Sequence, residues 1–257
     1  MGNRLNEYLC DDLQVVEGLE DVVSVACGEF FTLCVTSQGD VFGFGDNFES
    51  QLGIEDKAYK IGTPTKMLEV KNIISVACGY SHSMMLCSNG EVYVCGDNRG
   101  YEFGVGHNEN QEIPMIHPFL SDIIHISCGP NHTLAMNSNH EMFSFGYNNS
   151  GRLGLGDDSE TKKACLISNI PPIKSLCCGE VHSVIVDFDG NIYVCGDNEY
   201  GQLGLGEDIE SISTFTKIES LKDVTFIPNK MSLHTVVKSS SGIFVFGYND
   251  DGRLTIP

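Results

Sequence analysis

The 257 residues carry 35 acidic against 15 basic side chains, a formal charge of −20 that disfavours nucleic acid and anionic membrane as direct partners, because binding phosphate needs Lys and Arg. A hydrophobic content of 41% with 14 Phe and 9 Tyr is ample for a core, and no Pro-, Ser- or charge-rich linker interrupts the chain, so one domain over residues 1–257 is expected. Eleven cysteines, an odd number placed mostly at strand positions, together with the lack of a signal peptide or a long apolar run, point to a reducing cytosolic or nuclear compartment.

Residues 1–12 are polar and weakly patterned, and Asn6 stands where a myristoylation motif needs Ser or Thr. Residues 13–19 (LQVVEGL) match residues 65–70 (TKMLEV). From Cys27 onward one sentence is written five times. CGEFFTLCVTSQGDVFGFGDN is followed by copies from Cys78, Cys128 and Cys178 and by a worn copy from Leu233. The anchor glycines Gly45, Gly96, Gly146, Gly196 and Gly247 recur at a period of about fifty residues, the mark of a repeat architecture.

Each copy predicts the same strands. The first covers residues 22–26, 73–77, 123–127, 173–177 and 224–227, and the second covers 32–35, 83–86, 133–136, 183–186 and 235–237. A tight turn such as Asp189-Gly190 leads to the third, at 41–44, 92–95, 142–145, 192–195 and 243–246. These near-continuous apolar runs fit sheets covered on both faces by neighbouring blades. Asn47, Asn98, Asn148, Asn198 and Asn249, each two residues past an anchor glycine, are expected to bond their own backbone in a local turn.

The last copy stops at Thr255-Ile256-Pro257 without a final strand, whereas residues 13–16 resemble one. The expectation is an all-β, closed five-bladed β-propeller of four-stranded antiparallel blades, with the N-terminal strand completing the last blade. Blade limits are approximately 20–70, 71–120, 121–170, 171–220, and 221–257 plus 8–19.

Repeats of the form CGxxHSxxL, a hairpin, then VYxxGxNxxGQLGLG resemble the regulator of chromosome condensation (RCC1) family of β-propellers over nearly the whole chain. The resemblance implies a propeller, in which seven blades are usual, and guanine-nucleotide exchange on a small GTPase in the best-known members. This chain departs in having five copies and Phe31 where the others carry His82, His132, His182 and His234.

The pairs Cys78/His82, Cys128/His132 and Cys178/His182 share a CxxxH spacing, but the repeat dictates it and each pair belongs to a different blade. Zinc needs about four converging ligands, so these histidines are expected instead to hold loops by hydrogen bonds to backbone, and no metal or other cofactor is expected. The stretch Asp187-Phe-Asp189-Gly-Asn191 lacks the glycine and the bidentate Glu of a calcium loop. Neither a nucleophile elbow nor a phosphate loop occurs, which argues against intrinsic hydrolase or transferase activity.

What remains is surface. The long loops after the third strands gather Asp97, Asp197, Glu199, Glu207, Asp208 and Glu210 beside Tyr101, Tyr147, Tyr200 and Tyr248. This predicts an acidic docking face with aromatic anchors, in a non-enzymatic monomeric propeller that binds a protein with a basic surface. Exchange on a small GTPase is the alternative, although equal copy lengths leave no inserted wedge. A chromatin-associated regulator is a second alternative, at odds with the charge.

Overall fold

The computed structural model describes residues 13–55, 58–227, 232–250, 252 and 254. Four sheets of four strands and one of three follow in chain order, all antiparallel. The first comprises β1 (Val22–Cys27), β2 (Phe31–Thr36), β3 (Val41–Asp46) and β4 (Lys60–Lys66). The second comprises β5 (Ile73–Cys78), β6 (His82–Cys87), β7 (Val92–Gly96) and β8 (Gln111–Ile116). The third holds β9 (Ile123–Cys128), β10 (His132–Asn137), β11 (Met142–Gly146) and β12 (Thr161–Leu166), and the fourth β13 (Ile173–Cys178), β14 (His182–Asp187), β15 (Ile192–Asp197) and β16 (Ser211–Lys217). The fifth has β17 (Val224–Phe226), β18 (His234–Ser239) and β19 (Gly242–Gly247).

Within a sheet the strands run in sequence order, as short connections between neighbours require. Strands β6, β10 and β14 are buried along their whole length, because alternate side chains face the preceding and the following blade. Leu33, Val35 and Val41 of the first blade thus form one cluster with Ile73, Val76, Cys78 and Met85 of the second. Each hairpin turn also rests on the next blade's entry strand. Ile123 N donates to Gly90 O at 3.0 Å and Val224 N to Gly190 O at 3.0 Å. Gly190, at φ +77°, lies so close to Asp223 that a Cβ would fall 2.9 Å from its Cα.

The conserved geometry of the joints runs through the histidines. Ser183 Oγ donates its one proton to Arg152 O (2.7 Å), so it accepts from His132 Nε2–H (3.2 Å). Thr235 likewise joins Gln202 O (2.7 Å) to His182 Nε2 (2.8 Å), and Thr133 joins Glu102 O (3.0 Å) to His82 Nε2 (3.4 Å). At the first joint Phe31 replaces the imidazole, and Ser83 Oγ still donates to Gln51 O (2.6 Å). The histidines therefore act chiefly on a hydroxyl of the next blade, which holds the loop carbonyl, while the expected direct bond to backbone is found at His132, toward His182. Burial pushes His82 and His182 down to about 4, which keeps both neutral near pH 7.

The expected closing strand is corrected. Residues 13–16 form no strand and Leu13, Val15 and Val16 are exposed. Their counterparts, residues 65–68, explain why: β4 ends at Lys66, so the matched stretch is mainly the connection into the next blade. The fifth sheet has three strands among the described residues.

Candidate functional site

The connections after the first and third strands emerge on one face, and a buried asparagine organises the long loop of each of the first four blades. Asn198 Oδ1 accepts from Leu203 N (2.8 Å), while its Nδ2 donates to Gly206 O (3.1 Å) and Ile209 O (2.7 Å). Asn98 and Asn148 repeat the arrangement with Phe103 N and Leu153 N and with carbonyls across their loops. The expectation for these asparagines holds, extended from a local turn to a clamp across the loop. Residues 199–210 are thereby displayed from a fixed base.

In the fourth blade Asp197, Glu199, Glu207 and Glu210 line one open recess of about 460 Å³ with Asn198 and Ile209. Glu199, Glu207, Asp208 and Glu210 are exposed. Asp197 is half-buried and held from below, accepting Gln202 Nε2 at 2.7 Å, Glu199 N at 3.0 Å and Ser150 Oγ at 3.3 Å. Tyr200 meets Tyr248 edge to face at 5.0 Å, so two of the expected anchors form one aromatic pair between the fourth and fifth blades.

The remaining expected residues are spread over other blades. Asp97 takes Arg99 Nε and a guanidinium NH₂ at 2.8 Å each, and that guanidinium also reaches Glu49 at 2.7 Å, tying the first blade to the second. Burial alone would raise the Asp97 carboxyl, but the hydrogen bonds and charge of Arg99 outweigh it and hold it below its ordinary value. Tyr101 has Lys162 Nζ 6.0 Å from its ring centre and a left-handed φ of +61°. Ser50, Gly151 and Gly201 occupy the same station, also at positive φ, so a bulky side chain here is strained. Tyr147 accepts from Asn149 Nδ2 (3.0 Å) and carries the Arg152 guanidinium 5.6 Å from its ring centre.

Three features of this face were missed. Arg152 is buried, donating to Asn149 O and Glu180 O, where an arginine in a charged loop is ordinarily exposed. Glu102 is buried at the station of Gln51 and Gln202, and desolvation pushes its carboxyl up to about 7. Tyr80 donates to Glu180 Oε1 (3.3 Å) across 100 residues of chain, linking the second and fourth blades. The first two were readable as substitutions at the Gln station of GQLG; the third lies at a variable position that no spacing marks.

The family model described as RCC1-like domain matches residues 5–257. Protein pim1 of Schizosaccharomyces pombe is 34% identical over 118 residues, 40% of this chain and 22% of pim1, so the chain matches less than a quarter of that relative's length. Among solved structures, human WBSCR16 aligns with a TM-score of 0.79 at 24% identity, covering 89% of this chain and 62% of that one. Prp20p of Saccharomyces cerevisiae, described with its binding properties to Gsp1p and histones, aligns at 0.70 and 19% identity, covering 89% and 72%. Repeat, sheet order and family model agree: this chain belongs to the RCC1-like domain family.

Proposed function

We propose that residues 1–257 work as one non-enzymatic interaction propeller whose loop face docks a basic protein. The blades of this unit are those expected from the repeat, approximately 20–70 through 221–257. The observation that carries the reading is the fourth-blade recess, where Asp197, Glu199, Glu207 and Glu210 converge and, among the described residues, no Lys or Arg contributes to the lining. Fixed carboxylates beside the Tyr200–Tyr248 pair combine long-range attraction for cations with a rigid aromatic contact. Buried thiols such as Cys78, Cys128 and Cys178 suit a reducing cytosol or nucleus.

The test is stopped-flow association with a purified histone, the basic class named for Prp20p. Replacing Glu207, Asp208 and Glu210 together by Lys is expected to slow association by about ten-fold or more at low salt. An unchanged rate refutes the docking face. A second reading, exchange on a small GTPase, is favoured by the likeness to Prp20p, whose binding to Gsp1p is on record. Accelerated release of labelled guanine nucleotide from a small GTPase by substoichiometric protein would support it, and no acceleration across a panel would remove it.

A further inference from the structure

The long loop of the second blade departs from its counterparts at one hydrogen bond. In the first blade Gln51 Oε1 accepts from Glu49 N (2.9 Å) while Gln51 Nε2 donates to the Asp46 carboxylate (2.7 Å), and in the fourth Gln202 does the same with Tyr200 N (2.9 Å) and Asp197 (2.7 Å). In the second blade Glu102 occupies this station and Asp97 that of Asp46 and Asp197. Glu102 Oε2 takes over the role of the amide oxygen, accepting from Gly100 N at 2.9 Å. That leaves Oε1 at the place of the glutamine NH₂, the group that meets the aspartate in the other two blades. Two carboxylates cannot make this bond, whereas a carboxylic acid and a carboxylate can.

The surroundings put the proton on Glu102. Arg99 clasps Asp97 through Nε and Nη2 at 2.8 Å each, which keeps that carboxyl ionised. Glu102 is buried and, among the described residues, forms no ion pair, so desolvation pushes it up to about 7. Arg99 Nη2 also reaches Glu49 Oε1 of the first blade (2.7 Å), and Glu49 Oε2 accepts from Asn110 Nδ2 (2.7 Å). The charges acting on Glu102 are thus Asp97 and Arg99 of its own loop, with Glu49 of the first blade behind Arg99. From β6, His82 shares the Thr133 hydroxyl of β10 with the Glu102 carbonyl; from β9, the Cys128 thiol lies 3.9 Å from that hydroxyl; from β12, Lys162 covers the ring of Tyr101. His82, pushed down to about 4, and Cys128, pushed up to about 12, keep one charge state through neutrality.

We propose that Glu102 and Asp97 share one proton as a pH-operated latch on the second blade's loop. With the proton in place Glu102 donates to Asp97 as the glutamines do, and its loss at mildly alkaline pH sets the two carboxylates against each other. Three carboxylates, Glu49, Asp97 and Glu102, then surround one guanidinium. Arg99 holds Asp97 by two bonds and Glu49 by one, so the single bond to Glu49 gives way and the loop is untied from the first blade. Ionisation also adds one negative charge to the loop face.

The test is a carboxyl-carbon and amide NMR titration of the full chain from about pH 5 to about pH 9. The side-chain carboxyl carbons of Glu102 and Asp97 are expected to move with one common midpoint near neutrality, and Arg99 Nε–H and the Asn110 side-chain amide to move with them. Asp97→Asn removes the like charge and should lower the Glu102 midpoint by about one pH unit or more. Glu102→Gln restores the bond of the first and fourth blades, so the Asp97, Arg99 and Asn110 signals should stay flat across the range. The wild-type titration decides the matter without either variant. A Glu102 that has lost its proton below about pH 5, an Asp97 carbon blind to the Glu102 midpoint, or Arg99 and Asn110 signals that do not move would each overturn the proposal, as would an unchanged Glu102 midpoint in Asp97→Asn.

Discussion

Gly179 and His182 provide a direct test of how the loop face is held. The imidazole of His182 lies across Gly179 so closely that a Cβ there would fall 2.1 Å from Cε1 and 2.4 Å from Nδ1, and the three nearest atoms all belong to this one ring. Gly179→Ala must therefore displace the ring and break its bond to Thr235, an overpacking cost of about 3 kcal/mol. His182→Ala removes the same bond and leaves a void, about 3 kcal/mol by comparison with other buried rings. The double variant places its new methyl in the vacated space, so its expected cost is about 4 kcal/mol against a sum of about 6, a coupling of about 2 kcal/mol. Urea unfolding of the four proteins measures this. Additivity within about 0.5 kcal/mol would refute the claim that the glycine exists to seat the imidazole.

Other outcomes follow from the same geometry. Glu102 is raised to about 7 when folded but titrates near 4.5 when unfolded, so the folded protein keeps a proton that the unfolded chain releases; stability should fall by about 2–3 kcal/mol as pH rises through that window. Glu102→Gln, the residue of the first and fourth blades, should flatten that dependence in urea titrations between pH 5 and pH 8, an interval set by the direction of the shift. His82 and His182 act oppositely: both are depressed to about 4, so the stability they permit is present above the unfolded value near 6.5 and is lost as pH falls toward 4, which acid unfolding of His182→Phe should lessen. Asn198→Ala orphans Leu203 N and two carbonyls, with an expected loss of about 2–3 kcal/mol and faster amide exchange over residues 199–210. Tyr101→Gly relieves a left-handed bulky residue and should raise thermal stability by about 1 kcal/mol, and a drop would contradict the strain.

The sheets were legible because a motif repeated with constant internal spacing reports strand position five times over. Their inner edges match the expected stretches, from Val22 at β1 to Val224 at β17. The closing strand was misread because residues 13–19 match a connection that follows a strand, and apolar residues such as Leu13 and Val15 look alike in either place. The loop asparagines were legible as backbone binders, since their chemistry and fixed distance from a left-handed glycine leave few other uses. The clustering of Asp197, Glu199, Glu207 and Glu210 in one recess, and the pairing of Tyr200 with Tyr248, depend on how loops fold over the blade ends and on which blades adjoin. Composition predicted an acidic face, whereas the burial of Glu102 and Arg152 was marked in the sequence only by their place at the glutamine station of Gln51 and Gln202, inside a charged context that looks exposed.

The docking face is tested most directly by hydrogen–deuterium exchange on the full chain with and without a bound histone. Slowed exchange confined to the loop amides of residues 197–210 and around Tyr248 is the predicted result. Protection on the opposite face, at the hairpin turns around Gly90 and Gly190, or no localised protection at saturating histone, would contradict the account.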